Sequence, residues 1–518
     1  MNKYIKLLNT IKYLKFTQVY YRLYYIIKNR FRKISGFTCV FVKKSNSAPL
    51  NLIDSCEYYS TYKDDKFTIL NLSKKFNDKI DWNFSEYGKL WTYNLTYFEY
   101  LKVKEDVNLI YDFIKNIESV KDGLEPFPIS LRGINWIKFL ARYEIKNKKI
   151  DDSLYAQYYI LLDNVEYHLL GNHLLENGFS LLFGAYYFQD EVLYKKAKEI
   201  LTKELNEQIL DDGAHFELSP MYHQLMLFRV LDCVNLVIDN LLLAISEEEQ
   251  LKLKELLISK AQVMLQWLNN ISYQNGEIPL LNDSANKIAP TTEHLNEYAK
   301  RLQINQSPIT NHQLQNSGYR KIKRENYECI VDVGEVGASY IPGHAHADTF
   351  NFELYIKNKP FVVDTGLSTY NIGKQRDKER STKAHNTVEI NETNSSEVWG
   401  GFRVGNRASV IKLVENIDYI KATHDGYEKK FDIFHTREWK FEDDKIIISD
   451  ILNKECSAIA RLHFHPDISE EEIVNKLIIE NGELKIKEYG YSSEFNKSTK
   501  SLVAEILFEK ELKVEINI

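Results

Sequence analysis

A chain of 518 residues with 44% hydrophobic content can bury cores for two or three domains, and no apolar run in it reaches membrane-spanning length. Its net charge of −6 is uneven: residues 1–44 hold eleven Lys and Arg and no acid, leaving about −17 elsewhere, which argues against a generic nucleic-acid binder. The five cysteines (Cys39, Cys56, Cys233, Cys329, Cys456) are odd in number and lack CxxC spacing, which excludes a disulfide framework and a zinc knuckle.

In chain order, "MNKYIKLLNTIKYLKFTQVYYRLYYIIKNRFRK" alternates basic with aromatic and aliphatic residues. It has neither the uninterrupted apolar core nor the small-residue cleavage site of a secretory signal. It reads as a basic amphipathic helix, lying either on an anionic membrane surface or on its own protein. Residues 1–80 form this segment and a lead-in.

From about 85 to 300 the signals are helical. Ser219-Pro220 is a helix start of the N-cap/N1 type, and Ser246 with Glu249 makes a capping box ahead of a long periodic run. "LNDSANKIAPTTEH" is loop-like and precedes a short helix near 295–303. Beyond Ser317 the texture changes to short alternating runs such as "YECIVDVG", "TFNFELYI" and "KIIISDIL", spaced as in an antiparallel sandwich. Aromatic residues make up 13% of the chain, which suits sugar stacking and a packed core equally well. If the strand at 350–356 extends back through "GHAHAD", His344 and His346 share a face roughly 6–7 Å apart.

Four stretches, "PFPISLRGINWIKFL", "NHLLENGFSLLFGAYYF", "HFELSPMYH" and "GHAHADTFNFEL…VVDTG…RSTKAHNTVEIN", resemble the heparinase II/III-type polysaccharide lyases. They occur in the family's order and cover most of residues 85–410. The resemblance implies an α+β protein with an incomplete (α/α) toroid, alginate lyase-like, at 81–315 and an antiparallel β-sandwich at 316–518. It implies β-elimination on a uronate-containing acidic polysaccharide held between the two domains. It also implies a cell-envelope or periplasmic setting, with cytoplasmic or membrane-peripheral placement as the alternative.

Elimination needs a neutralised carboxylate, a base for the C5 proton and an acid for O4. For neutralisation the candidates are Asn172, preferred for its amide, and His173, which Glu176 could hold at i,i+3. The plain alternative is a cap at Asn172 and packing at His173. Tyr222 stands third in the helix begun by Ser219-Pro220, where positive potential favours its phenolate. By resemblance, His344 is the catalytic histidine, while His346, Asp364 and His385 form the metal site. Two His and one carboxylate suit zinc, in a structural role.

Arg132, Asn135 and Trp136 are cleft candidates, Trp136 as a stacking platform, with helix packing as the equal alternative. Glu217 and His223 flank Tyr222 and could orient it. Arg380 could take a sugar carboxylate or sulfate. His435, Arg437, His463 and His465 read as polar faces of the sandwich. The rival functional readings are a uronyl C5-epimerase, which shares the carbanion, and a non-catalytic glycan-binding or capsule-assembly protein of the same fold.

Overall fold

Several helices begin where a short polar side chain can take a free amide of the first turn. Asn147, Asp190, Ser219, Ser246 and Thr291 each accept such a bond. The computed structural model describes residues 3–37, 47–305 and 314–518, so Cys39 lies outside the described residues. The helices are α1 (Lys3–Ile11), α2 (Phe16–Ser35), α3 (Lys89–Tyr97), α4 (Val107–Asn116), α5 (Pro126–Arg142) and α6 (Lys148–Asp163). They continue with α7 (Gly171–Phe188), α8 (Glu191–Gln208), α9 (Pro220–Ile238), α10 (Glu247–Ile271) and α11 (Thr292–Arg301). A small three-stranded sheet at residues 61–75, absent from the sequence reading, precedes α3.

Helices α3, α5, α7 and α9 contact one another in that order, and α6, α8 and α10 back onto them from outside. This is an incomplete (α/α) toroid. Its inner helices are apolar nearly all round, as helices enclosed by others must be. Every residue of α7 is buried except His173. By length and composition α9 is the one described helix that could cross a membrane, but 83% of its apolar window is buried, so it is a core helix.

The described C-terminal sheets are antiparallel throughout. A six-stranded sheet runs Val410–Asn416, Tyr419–Tyr427, Ile433–Phe441, Lys445–Leu452, Glu511–Asn517, Leu477–Glu480. One four-stranded sheet runs Glu483–Tyr491, Thr499–Phe508, Ala458–His463, Val388–Ile390, and a second runs Tyr319–Lys323, Tyr327–Asp332, Phe352–Ile356, Lys359–Val362. Their alternating apolar faces, including Leu354, Trp439, Ile448, Ala460 and Ile506, meet in one core separate from the toroid's. The strand at Phe352–Ile356 starts six residues after His346, so "GHAHAD" is loop rather than strand.

His435 and Arg437 do not form an outer polar face. Both are buried on Asp450, and Arg437 also donates to the carbonyls of Phe350 and Asn386. His463 is buried too, beside Asn386, whereas His465 is half-exposed. The sandwich therefore grips the segments that follow His346 and His385 from within.

Candidate active site

At the site, three residues of the loop after α10 tie the two domains together. Asn282 accepts from the His346 amide and donates to the Leu218 carbonyl. The Asp283 amide donates to the His344 carbonyl, and the Ser284 hydroxyl lies 3.0 Å from Ser219 Oγ, the cap of α9. One short polar loop thus sets the start of the Tyr222 helix against the histidine loop. Leu170, Leu218, Asn282 and Phe350, each flanking a site segment, all have positive φ. Such conformations cost of order 1–3 kcal/mol each and persist where the surroundings impose them.

Asp283 is the hub. Fully buried, it receives Arg376 through both guanidinium nitrogens (2.5 and 2.6 Å), His344 Nδ1 at 2.9 Å and His346 Nε2 at 2.8 Å. Burial alone would raise its pKa, but the Arg376 charge and the imidazole hydrogen bonds outweigh it and hold the carboxyl well below the usual range. Asp283 takes the Nδ1 side of the His344 ring and leaves Nε2 on the opposite side. Nε2 faces Asn172 Nδ2 at 3.2 Å and Glu217 Oε2 at 3.4 Å.

Asn172 is the second residue of α7, not its cap. Its amide nitrogen donates to Glu217 Oε2 (3.0 Å) and its backbone N–H to Glu217 Oε1 (3.0 Å). Glu217 therefore seats its charge on the positive end of α7. Gly171 makes this approach possible: it has φ +58°, and a Cβ there would fall 2.7 Å from Glu217 Oε1.

His173, the half-buried residue of α7, bonds Glu166 at 3.2 Å and not Glu176. Burial alone would lower its pKa, but the Glu166 charge raises it, which favours the imidazolium. Glu176 points the other way, into a buried ion pair with Arg229, so it cannot meet a substrate there. A helix places i and i+3 on the same side, but the ring interior offered Glu176 a stronger cation.

Tyr222 is capped through its amide by Ser219 Oγ, and its ring lies on His344 with centroids 3.8 Å apart. Its hydroxyl accepts from Tyr370 at 3.3 Å. The expected phenolate is not favoured. Burial pushes the phenol well above its ordinary value, and the helix N-terminus does not reverse this. His223 does not orient Tyr222, because its ring bonds the Met264 carbonyl and accepts from the His215 amide.

Four other candidates are structural. Trp136 is fully buried, edge-on to Phe98 and Phe113. Arg132 is enclosed and donates to Gln157 and to the carbonyls of Thr96 and Gly123. Asn135 is taken by Tyr58 and the Tyr97 carbonyl. Arg380, 1% exposed, donates to the carbonyls of Ala345 and Gly401 and so props the residue between His344 and His346. Carbonyls of loops and helix ends occupy Arg132, Asn135 and Arg380, leaving them little to offer a sugar.

The metal candidates are neighbours but are already engaged. Asp364 Oδ2 accepts from His385 Nδ1 (2.7 Å) and Asn351 (2.6 Å), and Oδ1 from the Gly366 amide. Among the described residues no three His, Cys, Asp or Glu side chains are arranged as a ligand set. Yet His346 Nδ1, His385 Nε2 and Asp348 Oδ2 are buried without hydrogen-bond partners, and the two imidazoles stand 5.2 Å apart. Donors of that kind fit a zinc-like cation chemically.

Sequence reasoning missed Asp283, Arg376, Tyr370 and Glu166. Asp283 stood in a stretch recognised only as a loop.

A loop-borne histidine facing two inner-helix N-termini, on a toroid followed by a sandwich, is the arrangement against which relatives can be judged. The heparinase II/III N-terminus model matches residues 150–307, and the heparinase II/III-like C-terminal model residues 308–505. The chain belongs to the heparinase II/III family. A heparin-sulfate lyase of Bacteroides stercoris is 22% identical to this heparinase II/III member over 343 residues, 60% of this chain and 47% of that protein. One of Pedobacter heparinus is 26% identical over 253 residues, 43% of this chain and 36% of that one. The matched part spans less than half the length of either relative. Among solved structures, heparinase III superposes with a TM-score of 0.64 at 15% identity, covering 93% of this chain and 88% of that one. A heparan sulfate lyase of Pedobacter heparinus gives 0.53 at 15% identity, covering 86% and 80%. These likenesses show the fold.

Proposed function

We propose that this family member is a polysaccharide lyase that cleaves a uronate-containing, glycosaminoglycan-like chain by β-elimination. The observation that carries the reading is the meeting of Tyr222, His344 and Asn172, from two helix N-termini and one sandwich loop, with His344 in contact with both of the others. The names of the two curated relatives, both heparin-sulfate lyases, support the substrate class.

In this reading Asn172 and the His173 imidazolium bind the uronate carboxylate. Asn172 then gives up its contact with His344 Nε2, which is freed as base for the C5 proton. The imidazolium so formed lies between Asp283 and Glu217, both positioned to stabilise it. Tyr222 is protonated in the resting site and donates to the departing O4. Arg376 and Arg380 act at one remove, holding Asp283 and the loop carbonyls. We assign His346 and His385, with Asp364 bonded to His385 beside them, to a structural divalent cation that takes no part in these steps. The test is incubation with a panel of uronate polysaccharides, reading the ultraviolet absorbance of unsaturated product. Product from at least one polymer is expected, and C5 inversion without chain cleavage would instead mark an epimerase.

A further inference from the structure

Helices α1 and α2 dock with their polar sides and turn their apolar sides to solvent. The inward face of α2 is Gln18, Tyr21, Tyr25, Lys28 and Arg32, spaced three or four apart. Gln18 donates to the Leu169 carbonyl, Tyr25 to the Val165 carbonyl and Lys28 to the Asp163 carbonyl, while Arg32 pairs with Asp163. Tyr21 stacks on Tyr167. In α1, Asn9 donates to Glu397, and the Trp399 indole donates to Thr10, so this segment touches both domains.

On the opposite face of α2, Phe16, Tyr20, Leu23, Ile27, Phe31 and Ile34 recur at intervals of three or four and are 50–86% exposed. In α1, Tyr4, Leu8 and Ile11 repeat the pattern at 45–75% exposure. A helix that only capped its own protein would bury this stripe, since removing such side chains from water is favourable. Arg30 and Lys33 flank the stripe, and no acid occurs before Asp54.

We infer that the α1–α2 face is a docking surface for an anionic lipid bilayer, the stripe entering the headgroup boundary and the cations meeting lipid charge. A second copy of the chain fits less well. A two-fold contact through this face would set two acid-free basic segments against each other. Removing the helices is a poor test. Segment 163–170, which α2 covers, supplies Glu166 to His173, so truncation would disturb the site as well as the surface.

The experiment is co-sedimentation of the full chain with vesicles of phosphatidylcholine alone or mixed with phosphatidylglycerol, at low and high salt. Wild type should pellet with the mixed vesicles, at least tenfold less with phosphatidylcholine alone, and less as salt rises. Leu23→Ser/Ile27→Ser/Phe31→Ser should lose pelleting with an unchanged melting temperature, and Arg30→Gln/Lys33→Gln should weaken it and flatten its salt dependence. Wild type remaining in the supernatant, or the triple variant still pelleting, would overturn the inference. So would a wild-type dimer that ignores vesicles and dissociates in the triple variant.

Discussion

The Tyr222 ring lies on the His344 imidazole, 28° from parallel, although the two residues come from different domains. The contact brings the Tyr222 phenol and the His344 ring to the same side of one cleft, where the proposed mechanism uses them as acid and base.

Tyr222→Phe should therefore lower kcat by about 10²–10⁴-fold, the range for general acid–base groups. It should leave KM and melting temperature nearly unchanged, because only a 3.3 Å bond to Tyr370 is lost. His344→Ala should lose activity similarly. Initial rates of unsaturated product formation decide it, and wild-type turnover in Tyr222→Phe would end the assignment.

Asp283→Asn should both unfold and inactivate. It leaves the buried Arg376 without its counter-charge, a change that typically costs about 3–5 kcal/mol. Asp283→Asn/Arg376→Met should recover much of that stability in denaturant titrations while kcat stays low, since His344 no longer has its Nδ1 acceptor. Recovery of turnover along with stability would show that Asp283 only supports the fold.

The His173 pair gives a pH dependence. Its folded pKa is raised above the ordinary histidine value of about 6.5, so its charge is fully present below that value and is lost as pH rises through the folded value. KM for an acidic oligosaccharide should climb across that window in wild type, together with a small loss of stability. His173→Gln should show a higher KM with neither trend. A wild-type KM flat from below pH 6.5 into the alkaline range would remove His173 from carboxylate binding.

If a cation is held by His346, Asp364 and His385, elemental analysis of the purified protein should find about one divalent transition metal per chain. Chelation should then lower melting temperature and activity together. Loss of activity at constant stability would point to a chemical role, and absence of stoichiometric metal would refute the site. His346→Ala is the matching variant.

Trp136→Ala should behave as a core truncation, costing about 3–5 kcal/mol of stability and altering KM little in whatever folds. A large KM increase at preserved stability would restore the stacking-platform role.

Some of this could be read along the chain because it depends on neighbours in sequence. Ser219-Pro220 starts a helix through a bond that spans three residues, and it carries Tyr222 to a helix N-terminus whatever lies around it. The change from period 3.6 to period 2 near residue 317 separates toroid from sandwich, because each kind of element needs its own apolar spacing. Asn172, Tyr222 and His344 stood out as candidates because each sits in a stretch that resembles the family, and the structure brings His344 against the other two. The tertiary structure decided what those motifs face. Asp283 reaches His344 across 61 positions and Arg376 across 93, and a carboxylate in a polar loop has no periodicity to announce it. Arg132, Trp136 and Arg380 have the same spacing whether they line a cleft or fill a core. Ring closure and the loop carbonyls determined that they turn inward, and α2 shows the reverse case, with its apolar stripe turned out. Burial likewise set the protonation of Tyr222, because desolvation depends on everything packed around the phenol and the helix N-terminus acts on only one side of it.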